Sequence, residues 1–261
     1  MHDKPLHKNR LAAAFGNSNS VSAAVSLGMT RLRRIVVRHA PHHVTQRGNR
    51  REPIFFEDGD QDIYRDLLAE QAMRWQVEIW AYCLMPNHVH VIAVPSDETG
   101  LGRAIGETHR RYTNFINGRG RWSGHLFQSR FASVVMDDAH LITGVRYVSL
   151  NPVRARLVAR AEDWPWSSVR AHLAGCDDGL VSVRPVLDLV GDFASLLAPD
   201  PCDDAAFAAV RSAEGTGRPL ANAEFVTGLE RILGRPIARR APGPKPKHKG
   251  QPPERLPLEE V

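Results

Sequence analysis

The sequence predicts an α+β fold, and three observations predict it. Residues 77–84 alternate as a strand and residues 89–94 form a short apolar run, and Met85-Pro86-Asn87 joins them in what reads as a tight hairpin. Apolar residues recur at helical spacing before it (Ile63, Tyr64, Leu67, Leu68, Ala72, Trp75) and after it (Leu101, Ile105, Tyr112, Ile116). A further strand over 131–136 then leads into a helix over 138–149, so strands and helices interleave within one stretch of chain.

Composition narrows the classes of function. The 261 residues are 43% hydrophobic, enough for one fair-sized core plus appendages. No apolar run approaches the roughly 20 residues that span a bilayer, and the N-terminus lacks the apolar segment of a secretory signal. Cys83, Cys176 and Cys202 are scattered and without Cys-x-x-Cys spacing, which argues for a reducing cytoplasm and against a disulfide or zinc framework. The net charge of +5 and pI near 9.4 permit a polyanionic partner.

Charge placement says more than the total. Arg31, Arg33, Arg34, Arg38, Arg47, Arg50 and Arg51 crowd the start of the core. Arg103, Arg110, Arg111, Arg119, Arg121 and Arg130 follow the hairpin, with Glu107 the one acid among them. Arg146, Arg154, Arg156 and Arg160 form a third group. Arginine is a planar bidentate donor suited to phosphate and to stacking on bases, so the pattern points to nucleic acid. A solvated basic surface is the plainer alternative.

The elements follow in order. Ile35-Val36-Val37 is a short apolar run, and His43-Val44-Thr45-Gln46-Arg47 has strand character until Gly48-Asn49 breaks it. Asp58 or Asp60 caps the first helix, which leaves Arg65, Asp66 and Glu70 outward. On the second hairpin strand His88 and His90 share one face while Val89 takes the other, so both imidazoles can reach one metal ion. Two polar residues on a half-exposed face would look the same. The helix opening at Thr99 or Gly100 runs to about Asn117 and stops at Gly118 and Gly120. Tyr112 lies on its inward stripe, as a core tyrosine or as a nucleophile whose hydroxyl meets the metal.

Several blocks together resemble the single-strand transposases that carry a His-hydrophobic-His motif and one catalytic tyrosine, and among them the REP-associated tyrosine transposases. The blocks are His43-Val44-Thr45-Gln46-Arg47-Gly48-Asn49, Leu84-Met85-Pro86-Asn87-His88-Val89-His90 and Arg111-Tyr112-Thr113-Asn114-Phe115-Ile116-Asn117. Gly124-His125-Leu126-Phe127-Gln128-Ser129-Arg130-Phe131, Arg146-Tyr147-Val148-Ser149-Leu150-Asn151-Pro152-Val153-Arg154-Ala155 and Trp164-Pro165-Trp166-Ser167-Ser168 continue them. The resemblance covers about residues 29–172. Phe127 stands where the family pattern has tryptophan.

The resemblance implies a ferredoxin-like antiparallel sheet with helices packed on it and the histidine strand central. It also implies Mg²⁺ or Mn²⁺ held by His88 and His90, and attack by Tyr112 to leave a 5′-phosphotyrosine and a free 3′-hydroxyl. A phenol of pKa about 10 needs a cation to stabilise the developing charge. Relatives place a polar ligand one turn beyond the nucleophile; here Ile116 cannot ligate, which leaves Asn117 or water. Tyr147 is the rival tyrosine, expected to pack in the core near a helix end, and Tyr82 is expected to be structural. Arg47, Asn49, Arg110, Arg111, Arg119, Arg121, Trp122 and Arg130 are the expected DNA contacts, with Trp122 and Phe127 as stacking platforms or core.

The expected organisation is a disordered extension over 1–28, with Met29 a possible natural start, and the nuclease domain over 29–170. A small helical appendage occupies 171–234, with one helix from Asp203-Asp204 to Val210 and another from Asn222 to Gly234. A basic proline-rich tail over 235–261 ends the chain. The function expected is a metal-dependent single-strand DNA endonuclease and strand transferase acting near palindromic hairpins, as a monomer or homodimer associated with the nucleoid in the cytoplasm. The alternative is a regulator with the same fold that binds DNA or RNA without cutting.

Overall fold

The structure, a computed structural model, describes residues 34–237. The expected extension over 1–28, the start at Met29, and the tail apart from residues 235–237 lie outside the described residues. Four strands form one sheet: β1 (His42–Arg47), β2 (Val77–Met85), β3 (His88–Pro95) and β4 (Ala132–Val135), in the order β2-β3-β1-β4 and antiparallel throughout. Helix α1 (Asp60–Arg74) links β1 to β2, and α2 (Gly100–Gly120) links β3 to β4. That is the β-α-β-β-α-β ferredoxin-like arrangement.

Both crossovers join strands that run in the same direction with one strand between them. Such connections are right-handed, so α1 and α2 land on the same face of the sheet. Val44, Val89, Val91 and Ala93 meet Tyr64 and Leu68 of α1 and Leu101, Ile105, Tyr112 and Ile116 of α2 there. A β-bulge between Ile79 and Ala81 shifts the alternation of β2, so Ile79, Tyr82 and Leu84 also face α1 and α2.

The second face is covered by the chain beyond β4. Helix α3 (Asp138–Arg154) packs Leu141, Val145, Tyr147 and Val148 against Ala81, Cys83, Met85, Ile92 and Val94. Asp137 caps it, its Oδ1 accepting from the His140 backbone N–H at 2.9 Å. The sequence suggests an end near Ser149 because Pro152 lacks a backbone N–H. The helix instead runs through Pro152 to Arg154, so Tyr147 sits mid-helix.

The remaining helices are α4 (Val169–Ala174), α5 (Arg184–Val190), α6 (Phe193–Leu196), α7 (Asp203–Thr216) and α8 (Ala223–Leu233). They share cores with the sheet. Leu180, Val181 and Val183 join the α1/α2 side, and Phe207 and Val210 of α7 join the α3 side. Helix α7 extends past the expected Val210 to Thr216, where Gly217 at φ 65° ends it. Arg146 on α3 holds its start through a two-point pair with Asp203 at 2.7 Å. Asn222 caps α8 as expected, accepting from the Phe225 N–H at 2.8 Å, and Gly234 ends it. Among the described residues, no helix is long and apolar enough to cross a membrane.

Two buried histidines away from the histidine strand make folding sensitive to acid. His42 Nε2 accepts from the Val37 N–H at 3.0 Å while Nδ1 donates to the Ala40 carbonyl at 2.8 Å, a pattern only the neutral ring can make. Burial holds His42 down to about 4 and lowers His172 as well. The stability from their neutral form is complete above the unfolded value near 6.5 and is lost as pH falls below it. At pH 5 the His42 shift is expected to cost about 2 kcal/mol, lowering the melting temperature by about 4–8 °C relative to pH 7, with His172 acting in the same direction. A melt at pH 5 as high as at pH 7 would refute the assignment.

Candidate active site on the histidine face

Alternation along β3 sends His88, His90, Ile92 and Val94 toward α3, and Val89, Val91 and Ala93 toward α1 and α2. The cross-strand pairs His43–Ile92, Thr45–His90 and Arg47–His88 set β1 beside β3. His43 therefore shares the face of His90, and both are 1% exposed. His43 Nε2 lies 3.0 Å from His90 Nδ1, and the two rings stack at 5.2 Å. His88 packs edge-on against His90 at 4.8 Å, with its Nδ1 on Asn87 Oδ1 at 2.7 Å. His88 and His90 thus stand side by side on one face, as the spacing suggests.

All three rings are neutral near pH 7. Burial is the main cause, lowering His43 and His88 to about 3 and His90 well below its usual value. Arg47 adds to this at His88, while His88, His43 and Arg47 add to it at His90. The neutral ring is the form that binds metal. His90 Nε2 is buried and has no hydrogen-bond partner, so in the tautomer protonated on Nδ1 it offers a lone pair to a ligand. The donor set fits a divalent cation.

The tyrosine on this face is Tyr147. Its ring centre lies 5.4 Å from that of His90 and 5.8 Å from that of His43, edge-on to both, and 5.4 Å from Phe207 of α7. Its phenol is pushed up to about 12, first by burial and then by Glu214, while Arg211, Arg154 and Arg47 pull it back. Glu214 of α7 reaches the same place: its Oε1 lies 3.7 Å from His43 Nδ1 and 3.8 Å from His90 Nδ1. Burial raises its carboxyl to about 7. Among the described residues, His43, His90 and Glu214 form a group whose ligand atoms lie within 4.8 Å of one another and could hold a metal ion.

Tyr112 and Asn117 are elsewhere, which corrects the expectation that α2 brings them to the histidines. Tyr112 is inward, but α2 packs on the opposite face of the sheet. Its hydroxyl donates to the Ile54 carbonyl at 2.8 Å amid Phe55 and Tyr64, and burial pushes its pKa far up. Asn117 donates from Nδ2 to the Gly124 carbonyl at 3.0 Å. The helical period identified the buried stripe correctly; it carries no information about which face of the sheet receives it.

The expected DNA contacts divide into paired and open groups. Arg119 makes a two-point pair with the fully buried Asp60 at 2.6 and 2.8 Å, so its guanidinium is committed to the fold. Arg110 pairs with Glu107 and Arg111 with Glu70 on the solvent side of α2. Arg47 lies beside His88. Arg121, in a left-handed conformation after α2, and Arg130 are exposed. Trp122 is 54% exposed and packs edge-on against Phe56, itself 42% exposed. That pair is tied to the turn before His88, because the Ile54 N–H donates to the Pro86 carbonyl at 2.9 Å.

Asn49 is exposed, and its N–H donates to the Leu126 carbonyl at 2.8 Å. Phe127 packs on His109 at 4.4 Å in the core. Gly48 is required where it stands: a Cβ would lie 2.1 Å from the Glu52 carbonyl oxygen.

His43, Glu214, Arg154 and Arg211 were not singled out from sequence as parts of this site. His43 had a detectable signal, since it alternates with Thr45 and Arg47 on the face that β1 shares with His90. Glu214 had none, because its helix was expected to end at Val210.

The model of the IS200-like transposase family matches residues 36–151, from just before β1 to Asn151 in α3. A Haemophilus influenzae protein described as a REP-associated tyrosine transposase is 25% identical over 144 residues, covering 49% of this chain and 80% of its own. A solved REP-associated tyrosine transposase bound to a REP hairpin aligns with TM-score 0.49 and 21% identity, over 59% of this chain and 92% of its own. A Deinococcus radiodurans structure described as a transposase aligns with TM-score 0.32 and 16% identity, over 54% and 98%.

Proposed function

We propose that the chain is a REP-associated tyrosine transposase, a reading supported by the match of residues 36–151 to the model of the IS200-like transposase family. It cuts and rejoins single-stranded DNA beside palindromic hairpins, in the cytoplasm. The observation that carries this reading is that partly exposed His88 shares one face of the sheet with buried His90 and Tyr147.

Mg²⁺ or Mn²⁺ on His88 and His90 would polarise the scissile phosphate. Tyr147, not Tyr112, is the nucleophile: its Oη–P bond forms as the P–O3′ bond breaks, and the departing 3′-oxygen takes up a proton. The product is a 5′-phosphotyrosine and a free 3′-hydroxyl, so rejoining needs no ATP. Arg47, Arg154 and Arg211 favour the tyrosinate, since each lowers the Tyr147 pKa. Asn151 stands four residues beyond Tyr147, on the same side of α3, and would supply a further ligand one turn past the nucleophile. Arg47, Asn49, Arg121 and Arg130 bind backbone phosphates, and the Phe56–Trp122 pair stacks unpaired bases.

The test is incubation of labelled hairpin DNA carrying single-stranded flanks with protein and Mn²⁺, followed by a denaturing gel. A covalent adduct is expected with the flanked hairpin and none with perfect duplex. Binding is expected to weaken steeply with salt. Binding without any adduct would instead identify a non-cutting regulator.

A further inference from the structure

Helix α7 lies beyond the segment shared with the transposase family, yet it delivers a carboxylate to the histidines. Phe207, Val210 and Glu214 occupy one stripe of α7 at spacings of three and four residues. Phe207 and Val210 are core residues on the α3 side, and the Arg146–Asp203 pair pins the start of the helix. Glu214 is 17% exposed at its side chain, and its Oε1 is buried without a hydrogen-bond partner. A lone acceptor on the apolar stripe of a helix costs stability unless something uses it.

We propose that Glu214, His43 and His90 form a relay in which α7 orients the metal-binding histidine from outside the transposase domain. The inference rests on the reading of His88 and His90 as metal ligands. One set of tautomers satisfies the geometry. His90 uses the Nε2 lone pair for metal, and its Nδ1–H donates to His43 Nε2 across 3.0 Å. His43 then carries its proton on Nδ1, facing Glu214 Oε1 at 3.7 Å. A closure of roughly 0.8 Å brings that last gap to ordinary hydrogen-bond length. A carboxylate behind a ligating histidine fixes the ring and raises its basicity, and removing such a partner typically costs about 10–100-fold in metal affinity. Glu214 and His43 are therefore positioning residues.

The experiment is Mn²⁺ titration of the full chain followed by electron paramagnetic resonance. Glu214→Gln keeps shape and removes the charge; it is expected to weaken Mn²⁺ about 10–100-fold, with Glu214→Asp recovering part of the loss. His43→Gln is expected to match it, and the double variant to be little weaker than either single one, because both interrupt one chain. Pulsed resonance is expected to count the same directly bound imidazole nitrogens in wild type, Glu214→Gln and His43→Gln. Unchanged affinity in Glu214→Gln overturns the relay. So does loss of a bound nitrogen in His43→Gln, which would make His43 a ligand. A wild-type chain that binds no Mn²⁺ sinks the metal reading itself, and the relay with it.

Discussion

Tyr147→Phe is expected to abolish the covalent protein–DNA adduct, by roughly 10³-fold or more, while Tyr112→Phe is expected to keep it. Tyr147 lies within 6 Å, ring to ring, of both His43 and His90, whereas Tyr112 is across the sheet with its hydroxyl spent on the Ile54 carbonyl. Tyr147→Phe removes one oxygen and almost no volume, so folding and hairpin binding are expected to survive. Tyr112→Phe strands a buried carbonyl and is expected to cost about 1–3 kcal/mol of stability, visible as a lower melting temperature. A gel showing the adduct with Tyr147→Phe and none with Tyr112→Phe would return the nucleophile to α2 and require the helix to leave its face.

His88→Ala is expected to remove cleavage while leaving hairpin affinity within a few-fold of wild type. His88 is partly exposed, so its loss leaves little cavity. The arginines proposed to bind phosphate are separate side chains and remain in the variant. His90→Ala is expected to remove cleavage too, but also to lower the melting temperature, since it empties a site 1% exposed and leaves His43 without its partner. EDTA is expected to do to the wild type what His88→Ala does: no adduct, binding retained. Full cleavage by His88→Ala, or cleavage undiminished by EDTA, would show that this pair is not the metal site.

The two losses differ in kind, which helps separate chemistry from folding. The partly exposed His88 side chain contributes a lone pair, a hydrogen bond to its neighbour Asn87 and less buried volume than His90. His90 contributes a lone pair, a hydrogen bond and volume. Cleavage lost equally in both variants with stability lost in one is the pattern a ligand pair on a half-covered face should give.

The sequence by itself determined the elements and the local placements. Alternation marked the first hairpin strand, and a continuous apolar run marked the second, as expected of a strand buried on both faces. The helical period put Tyr112 inward, Asn222 and Gly234 bounded α8, and the two-residue repeat set His88 and His90 on one face. Those are short-range consequences of backbone geometry, and they hold whatever packs against them.

Only the tertiary structure decided which helix meets which face. Val89, Val91 and Ala93 are apolar, and so are Ile92 and Val94, so β3 gives no hint of where α2 belongs. The right-handed crossovers put α1 and α2 together, leaving the histidine face to α3. Tyr147 and Tyr112 thereby exchange the places that sequence reading expects. Glu214 is further from legible, because its role depends on α7 running two turns past Val210 and docking across the chain on His43, more than 170 positions earlier. Local rules end at the helix; the site is made by contacts between residues that are distant in sequence, and these are chosen by the closure of the whole core.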